Sequence, residues 1–398
     1  MMIKEKNKVR LGEFAEVISG YAFKSKKFQE SGVPIIKIKN IRVGDIDLND
    51  VQFVDENYLE LDAKYHVNSG DILISLTGSH LTQPNSVVGR VAKYSGPKAL
   101  LNQRAGKITI SDSDIGDKDF IYYTLSSEDY KRKLALFASG AASQANISPS
   151  QVKSVELDLP DLPTQQKIAS ILSAFDDLIE NNTRRIAILE QMTRLIYCEW
   201  FVHYRYPGHE KDKMVDLGTE FGEAPEGWEV KEIDEIVKRL SKGKIYRKKN
   251  VDDSGRVIVI DQSTDEYLGF HNNEPDFLAS FERPHIIFGD HTCKTQLLTR
   301  PFSLGPNVVP FISENDKLSI YYLYWLVEGL IDSREYKRHW SSFKVKKIPV
   351  APINITSEFE DKVASIYNQI ELLNERNRKL KQTRDLLLPR LISGKVGV

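Results

Sequence analysis

Apolar positions along this chain follow two different rhythms. In residues 1 to about 160 they come in short runs that alternate with polar residues or are β-branched. VPIIKIKNI at 33–41, GDILISL at 70–76 and KITI at 107–110 are set off by Gly, Asn and Asp, and they predict strands. DFIYYTLSSEDYKRKLALFA at 119–138 has helical spacing instead, so this first module is mixed α/β. From Thr164 to about Phe201 there is neither Gly nor Pro. Ile168, Leu172, Phe175, Ile179, Ile186, Leu189 and Ile196 fall at steps of three, four and seven, the mark of a coiled-coil seam, with Asn182 and Thr193 as polar interruptions. At 1.5 Å per residue such a helix runs for ~55 Å.

Both rhythms then return. Residues 203–230 are hydrophilic and rich in Gly, Pro and charge, which predicts a linker or docking loop. A second mixed module extends to about Pro352, with strand candidates RVIVIDQ at 256–262 and HIIFGD at 285–290 and a helical IYYLYWLVEGL at 320–330. A second long helix is predicted from Ser357 to about Leu388, its seam carrying Phe359, Val363, Ile366, Ile370, Leu373, Leu380 and Leu387, with Asn377 and Arg384 as polar interruptions. Pro389 and Gly394 are expected to stop it.

The halves repeat. QKIASIL at 166–172 matches DKVASIY at 361–367, and FIYYTL at 120–125 matches SIYYLY at 319–324. VELDLPDLP at 155–163 and IPVAPI at 348–353 are Pro-rich exits before each long helix. A period near 195 residues is too long for a solenoid and marks a tandem duplication of module plus helix. The narrow apolar stripes predict that the two helices pair antiparallel, with approximate two-fold symmetry. The alternative is that each helix packs on its own module. The expected fold class is therefore α/β (mixed α+β), an internal repeat of two globular domains separated by two long antiparallel coiled-coil helices. The expected boundaries are 1–160, a helix over 161–205, a linker over 206–228, 229–353, and a C-terminal helix over 354–398.

Composition changes this picture little. The formal net charge is −1 over 398 residues, so any case for nucleic acid rests on local distribution. Two cysteines, Cys198 and Cys293, suggest a reducing compartment. The charged start leads into no apolar h-region, and the apolar stretch from Tyr321 to Val327 is too short to span a bilayer, so a cytoplasmic location is expected. No glycine-rich cofactor fingerprint, NPPY- or DPPY-type tetrapeptide or P-loop appears. Cys198, His203 and His209 are a possible metal cluster, but they lack a CxxC or HxxxH pair and a fourth ligand, so none is expected to be bound. No catalytic residue is assigned.

LPTQQKIASILSAFDDLIENN at 162–182 resembles the central conserved region of type I restriction-modification specificity subunits. FGEAPEGWEV at 221–230 looks like the entry to their second target recognition domain. GDILISLTGS at 70–79, VVGRVAKY at 87–94 and LLNQRAGKI at 100–108 are similar to a first-domain pattern, as VIDQSTDEYLGFHNN at 259–273 and IIFGDHT at 286–292 are to a second. The resemblance covers nearly the whole chain, and the order of the motifs is its most specific feature. It implies a non-catalytic DNA-recognition subunit in which each target recognition domain reads one half of a bipartite, gapped site. It further implies that the helices dock two methyltransferase subunits, with two restriction/translocase subunits completing the complex. S-adenosylmethionine, ATP and Mg would belong to those partners and no cofactor to this chain. Helices of this length would set the half-sites about 10 bp apart. Alternatives are the specificity subunit of a fused restriction-methyltransferase system, an assembly scaffold that does not itself read DNA, and an enzyme with an unrecognised site.

DNA binding requires cations for phosphate and planar polar groups for base edges. Lys238, Arg239, Lys242, Lys244, Arg247, Lys248 and Lys249 form a run with no acid between them, as do Arg90, Lys93, Lys98, Arg104 and Lys107. A third cluster is Arg334, Lys337, Arg338, Lys344, Lys346 and Lys347. Candidate base-reading loops offer Thr77, Ser79, His80, Gln83 and Asn85; Ser143, Gln144 and Asn146; His291, Thr292, Lys294 and Gln296; and His339, Ser341, Ser342 and Lys344, with Gln103 beside Arg104. Charge runs are also ordinary solvated faces, and polar loops ordinary turns.

Overall fold

The computed structural model describes residues 7–42, 44–79, 88–141, 144–252, 254–263, 267–331 and 337–397. They form two compact units, residues 1–180 with 378–398 and residues 181–377. No helix among the described residues is long and apolar enough to cross a membrane.

In the first unit a four-stranded antiparallel sheet has the order Ala15–Ser19, Ala105–Ile110, Ile72–Ser75, Val91–Lys93. A second sheet has the order Gln52–Val54, Val33–Ile36, Ala99–Leu101, His66–Val67, and its central pair is parallel, Ile35 opposite Leu100. The chain crosses between the sheets at a tight turn, residues 102–104. A Cβ on Gly20 would stand 2.2 Å from the Leu101 carbonyl oxygen, so only glycine lets the strand end pass this turn. Helix Lys118–Ser126 covers the first sheet. Its free N-terminus is capped by Asp117, which accepts from the Phe120 N–H at 2.9 Å. The single helix expected over 119–138 is two, because Ser127 is extended and Glu128–Leu136 starts afresh.

The second unit repeats this plan. Its four-stranded sheet has the order Val237–Arg239, Val308–Ser313, His285–Gly289, Thr295–Leu298, the same sequence of first, last, second and third strands. Val257–Ile260 again pairs parallel with Phe302–Leu304. Helix Ile320–Val327 takes the place of Lys118–Ser126, capped by Ser319. Glu229–Glu232 pairs with Lys347–Val350 as Asn7–Arg10 pairs with Glu156–Leu159. Residues 203–230 hold a hairpin, Met214–Asp216 with Glu223–Pro225, and they bury Tyr206, Ala224 and Trp228 in the core of this unit.

The long helices run Leu162–Tyr197 and Ile353–Ser393, and the first ends in a π-turn, Cys198–Val202. Within each unit the two pack antiparallel. In the first, Asp176 meets Arg384, and Ile168 and Leu172 share a core with Leu391 and Ile392. In the second, Asn182 Nδ2 donates to Asn377 Oδ1 at 2.9 Å, and Tyr197 lies against Phe359. Helix pairing and packing on a module, posed as alternatives, both occur. The expectation that Pro389 stops the second helix is corrected. Pro389 lies inside it, and the chain turns away only at Gly394, φ +76°. The proline forfeits the hydrogen bond to the Asp385 carbonyl, and burial of Leu391 and Ile392 in the core of the first unit holds the helix beyond it.

Candidate nucleic-acid interface

In the first unit a three-stranded ribbon, Ser139–Ala141, Gln144–Asn146 and Thr77–Gly78, carries several of the predicted polar residues. Gln144 and Asn146 are exposed on it. Thr77 is buried and donates its hydroxyl to Asn146 Oδ1 at 2.8 Å, so it positions the asparagine instead of facing solvent. Ser79 closes the base of the neighbouring loop, its carbonyl accepting from Val88 N–H. His80, Gln83, Asn85 and Ser143 lie outside the described residues.

The basic run from Arg90 to Lys107 divides. Gln103 and Arg104 are exposed on the tight turn, and Lys98 is exposed before it. Lys93 pairs with Asp119 at 2.7 Å, and Lys107 is buried, donating to the His66 carbonyl at 2.6 Å with Asp71 4.0 Å away. Those two lysines serve the fold. Arg90 is half-buried, and desolvation, followed by the nearby Arg42 guanidinium, pulls its pKa below the ordinary arginine value.

In the second unit Lys238, Arg239, Lys242, Lys244, Arg247, Lys248 and Lys249 are all exposed, and none forms an ion pair among the described residues. Lys244 Nζ lies 4.9 Å from the centre of the Tyr246 ring, which in turn stacks on buried His271 at 4.2 Å and 2°. His271 Nδ1 accepts from the Asn273 N–H. Burial lowers the His271 pKa, Asp276 opposes this, and Lys244 and Arg256 add to the lowering.

The turn after His285–Gly289 brings a second group together. Gln262 accepts the His291 N–H at 3.0 Å, and its carbonyl accepts from the Thr292 hydroxyl at 2.7 Å. His291 Nδ1 lies 3.0 Å from the Lys337 carbonyl oxygen, which draws Lys337 and Arg338 to the same edge. Gln262 was not among the predicted residues; its place at the end of a strand, opposite a polar turn, was the available signal. Lys294 and Ser341 reach the surface of this region, whereas other predicted residues are used inside the fold. His339 is buried at the start of helix Trp340–Lys344, Lys344 pairs with Asp234 at 3.2 Å, and Gln296 lines a cleft of the unit with its Oε1 buried. Arg334 lies outside the described residues. Cys198 and His203 meet only through a backbone hydrogen bond, and no metal-binding cluster of His, Cys, Asp or Glu occurs among the described residues.

Residues 3–191 match the family model described as the type I restriction modification DNA specificity domain. The chain is 25% identical over 405 residues to the candidate type I restriction enzyme MjaX specificity subunit of Methanocaldococcus jannaschii, covering 98% of this chain and 93% of that one. It is 31% identical over 188 residues to the MjaVIII specificity subunit of the same organism, covering 47% and 43%. Its fold is like that of the type I restriction-modification system S subunit from M. genitalium, with a TM-score of 0.56 at 17% identity over 98% of this chain and 96% of that one.

Proposed function

We propose that the chain has the general role of a non-catalytic type I specificity subunit, as its similarity to that family over residues 3–191 and to the MjaX subunit along its length supports, and that each unit reads one half of a bipartite, gapped DNA target. The observation that carries this reading is the repetition itself. One strand order and one capped helix recur in two units with separate cores, and each presents exposed polar and basic residues at its strand ends. In the second unit the unpaired run from Lys238 to Lys249 supplies the phosphate-binding charge, and His291, Thr292 and Lys294 stand at the base-reading edge. In the first unit these parts fall to Gln103 and Arg104 and to Gln144 and Asn146.

The long helices then dock two methyltransferase subunits, and two restriction/translocase subunits complete an assembly working on DNA in the cytoplasm. Support comes from apolar side chains left outside the helix seam. In the second unit Ile188, Met192, Leu195 and Val202, at steps of four, three and seven, are 57%, 45%, 56% and 56% exposed. In the first, Ile171 and Leu178 follow the same spacing, 38% and 51% exposed. Such a stripe fits a partner helix.

The test is to co-express the chain with its methyltransferase partner and map DNA methylation genome-wide. A gapped two-part adenine-methylated motif, lost when this chain is omitted, is expected. A continuous motif, or methylation that persists without the chain, would refute the proposal.

A further inference from the structure

The second unit carries its cations in one exposed run, Lys238 to Lys249, whereas the run expected in the first unit is partly used by the fold: Lys93 and Lys107 are engaged and Arg90 is half-buried. The duplication shows where the first unit keeps equivalent charge. In each unit the chain leaves the first strand of the four-stranded sheet and is then pinned at two points. Tyr21 N–H donates to the Leu101 carbonyl at 2.8 Å, and Tyr246 N–H donates to the Leu304 carbonyl at 2.8 Å. Leu101 and Leu304 are the last residues of the two matching strands that pair in parallel. Further on, Gln29 N–H donates to the Phe53 carbonyl at 3.1 Å, and Asp252 N–H to the Phe270 carbonyl at 2.9 Å. Phe53 and Phe270 are the central residues of the matching antiparallel strands, Gln52–Val54 and Gly269–His271.

Between these pins each unit makes a 3-10 turn, Ser25–Lys27 in the first and Lys248–Asn250 in the second. Lys27 N–H donates to the Lys24 carbonyl at 2.9 Å, and Asn250 N–H to the Arg247 carbonyl at 2.7 Å. Each turn ends at the same spacing before its second pin. Residue by residue, Lys24 therefore stands where Arg247 does and Lys26 where Lys249 does, while Ser25 and Lys27 stand for Lys248 and Asn250. Lys24, Lys26 and Lys27 are exposed, and none has an ion pair among the described residues. Phe23 and Phe28 on either side of them pack with Val33, Ile35, Val54 and Leu100, and the Phe23 ring lies 5.4 Å from that of Tyr58. The turn that carries Tyr58, Glu56–Glu60, brings acids to this region, but none reaches ion-pair distance of the three lysines, and Asp55 is spent on the Asn57 N–H.

We propose that Lys24, Lys26 and Lys27 bind the phosphate backbone of the duplex beside the half-site of the first unit, as Arg247 and Lys249 do in the second. No packing demand explains the match of Lys24 with Arg247 and of Lys26 with Lys249, since all four side chains are exposed. A shared anionic partner does explain it. The buried phenylalanines and the strand hydrogen bonds at both ends fix the backbone from which the lysines project, so binding orders side chains alone. Ammonium groups are point charges suited to phosphate, and they set affinity and position without reading bases. Three lysines interleaved with Ser and set between phenylalanines do not stand out as a run, which is why the sequence pointed to the second unit and not to this turn. The inference rests on the reading of each unit as a reader of one half-site and supplies the backbone contacts of the first.

The experiment measures binding of the full chain, in complex with its methyltransferase partner, to duplex DNA bearing the methylated motif and to unrelated duplex DNA at several salt concentrations. Lys24→Gln with Lys26→Gln is compared with Arg247→Gln with Lys249→Gln, with Lys24→Arg with Lys26→Arg, and with Lys8→Gln, an exposed cation on strand Asn7–Arg10. Each neutralised pair should reduce the slope of log K against log salt by about two, on both DNAs alike. Its deficit against the wild type should then be roughly tenfold larger near 50 mM than near 200 mM salt. The arginine pair and Lys8→Gln should keep the wild-type slope, and no melting temperature should fall. The methylated motif should keep both halves, because phosphate contacts carry no base information. A wild-type slope in the Lys24 and Lys26 variant, with the wild-type complex preferring its motif, would overturn this assignment and leave the half-site reading standing. A motif relaxed in one half would overturn it too, by making the lysines base readers. A wild-type complex with no preference for motif DNA would overturn the half-site reading and this inference with it.

Discussion

Lys242 and Lys244 are exposed, carry no ion pair among the described residues and stand in a segment without acids, which is the arrangement a phosphate backbone requires. Lys242→Glu with Lys244→Glu should weaken binding to every DNA sequence alike and reduce the slope of log K against log salt by about two, as titrations at several salt concentrations would read. Unchanged affinity would remove the run from the interface. Next to it, buried His271 has a lowered pKa, so the unfolded chain takes up its proton first. Stability is then full above the ordinary histidine pKa of about 6.5 and falls as pH drops below it. His271→Gln should flatten the loss of melting temperature between roughly pH 7 and pH 5. Lys244→Glu should flatten it partly, because it removes one of the charges that lowers the pKa. An identical pH profile in the variants would show that another group governs it. The exposed run was legible because its signal is local. The roles of Lys107, Lys344 and His339 were not, because each depends on a residue far along the chain, such as Asp234, 110 positions before Lys344.

At the scale of elements, the helix pair was legible to within a few residues at each end, since its signal is a long periodic seam. Less legible was how the seam's polar interruptions would be used. Asn182 and Asn377 are buried against each other, and Asn377 also reaches Thr183 Oγ1. A buried amide pair contributes little net stability, yet it penalises any register in which one amide faces an apolar side chain. Asn182→Leu alone should therefore cost about 1–3 kcal/mol, by stranding Asn377. Asn182→Leu with Asn377→Leu should recover most of that loss in a thermal melt. If the double variant is as destabilised as the sum of the singles, the pair is not acting as a matched unit. The helix stop was misplaced for a related reason. A proline rule read from the local sequence leaves out distant packing, here the burial of Leu391 and Ile392 in the core of the first unit, which holds the turn beyond Pro389.

For the whole molecule, duplication was legible from two short matched segments. The structure extends it to strand order, the parallel central pair and the helix caps, features that survive where side chains have diverged. The candidate contact residues were the least legible part, because they answer to a ligand and not to a core. The two units have separate cores, and substitutions on surfaces that share no partners act independently. Gln144 is exposed on the ribbon of the first unit, outside its core. Gln144→Ala should relax base preference in one half of the methylated motif by about 1–3 kcal/mol per affected base pair and leave the other half as strict as before. In a genome-wide methylation map that is a motif degenerate on one side of the gap only. Replacing His291 or Thr292 should degrade the opposite half. A variant that loosened both halves together would mean that the units read DNA as one surface, and the assignment of one half-site to each would fall.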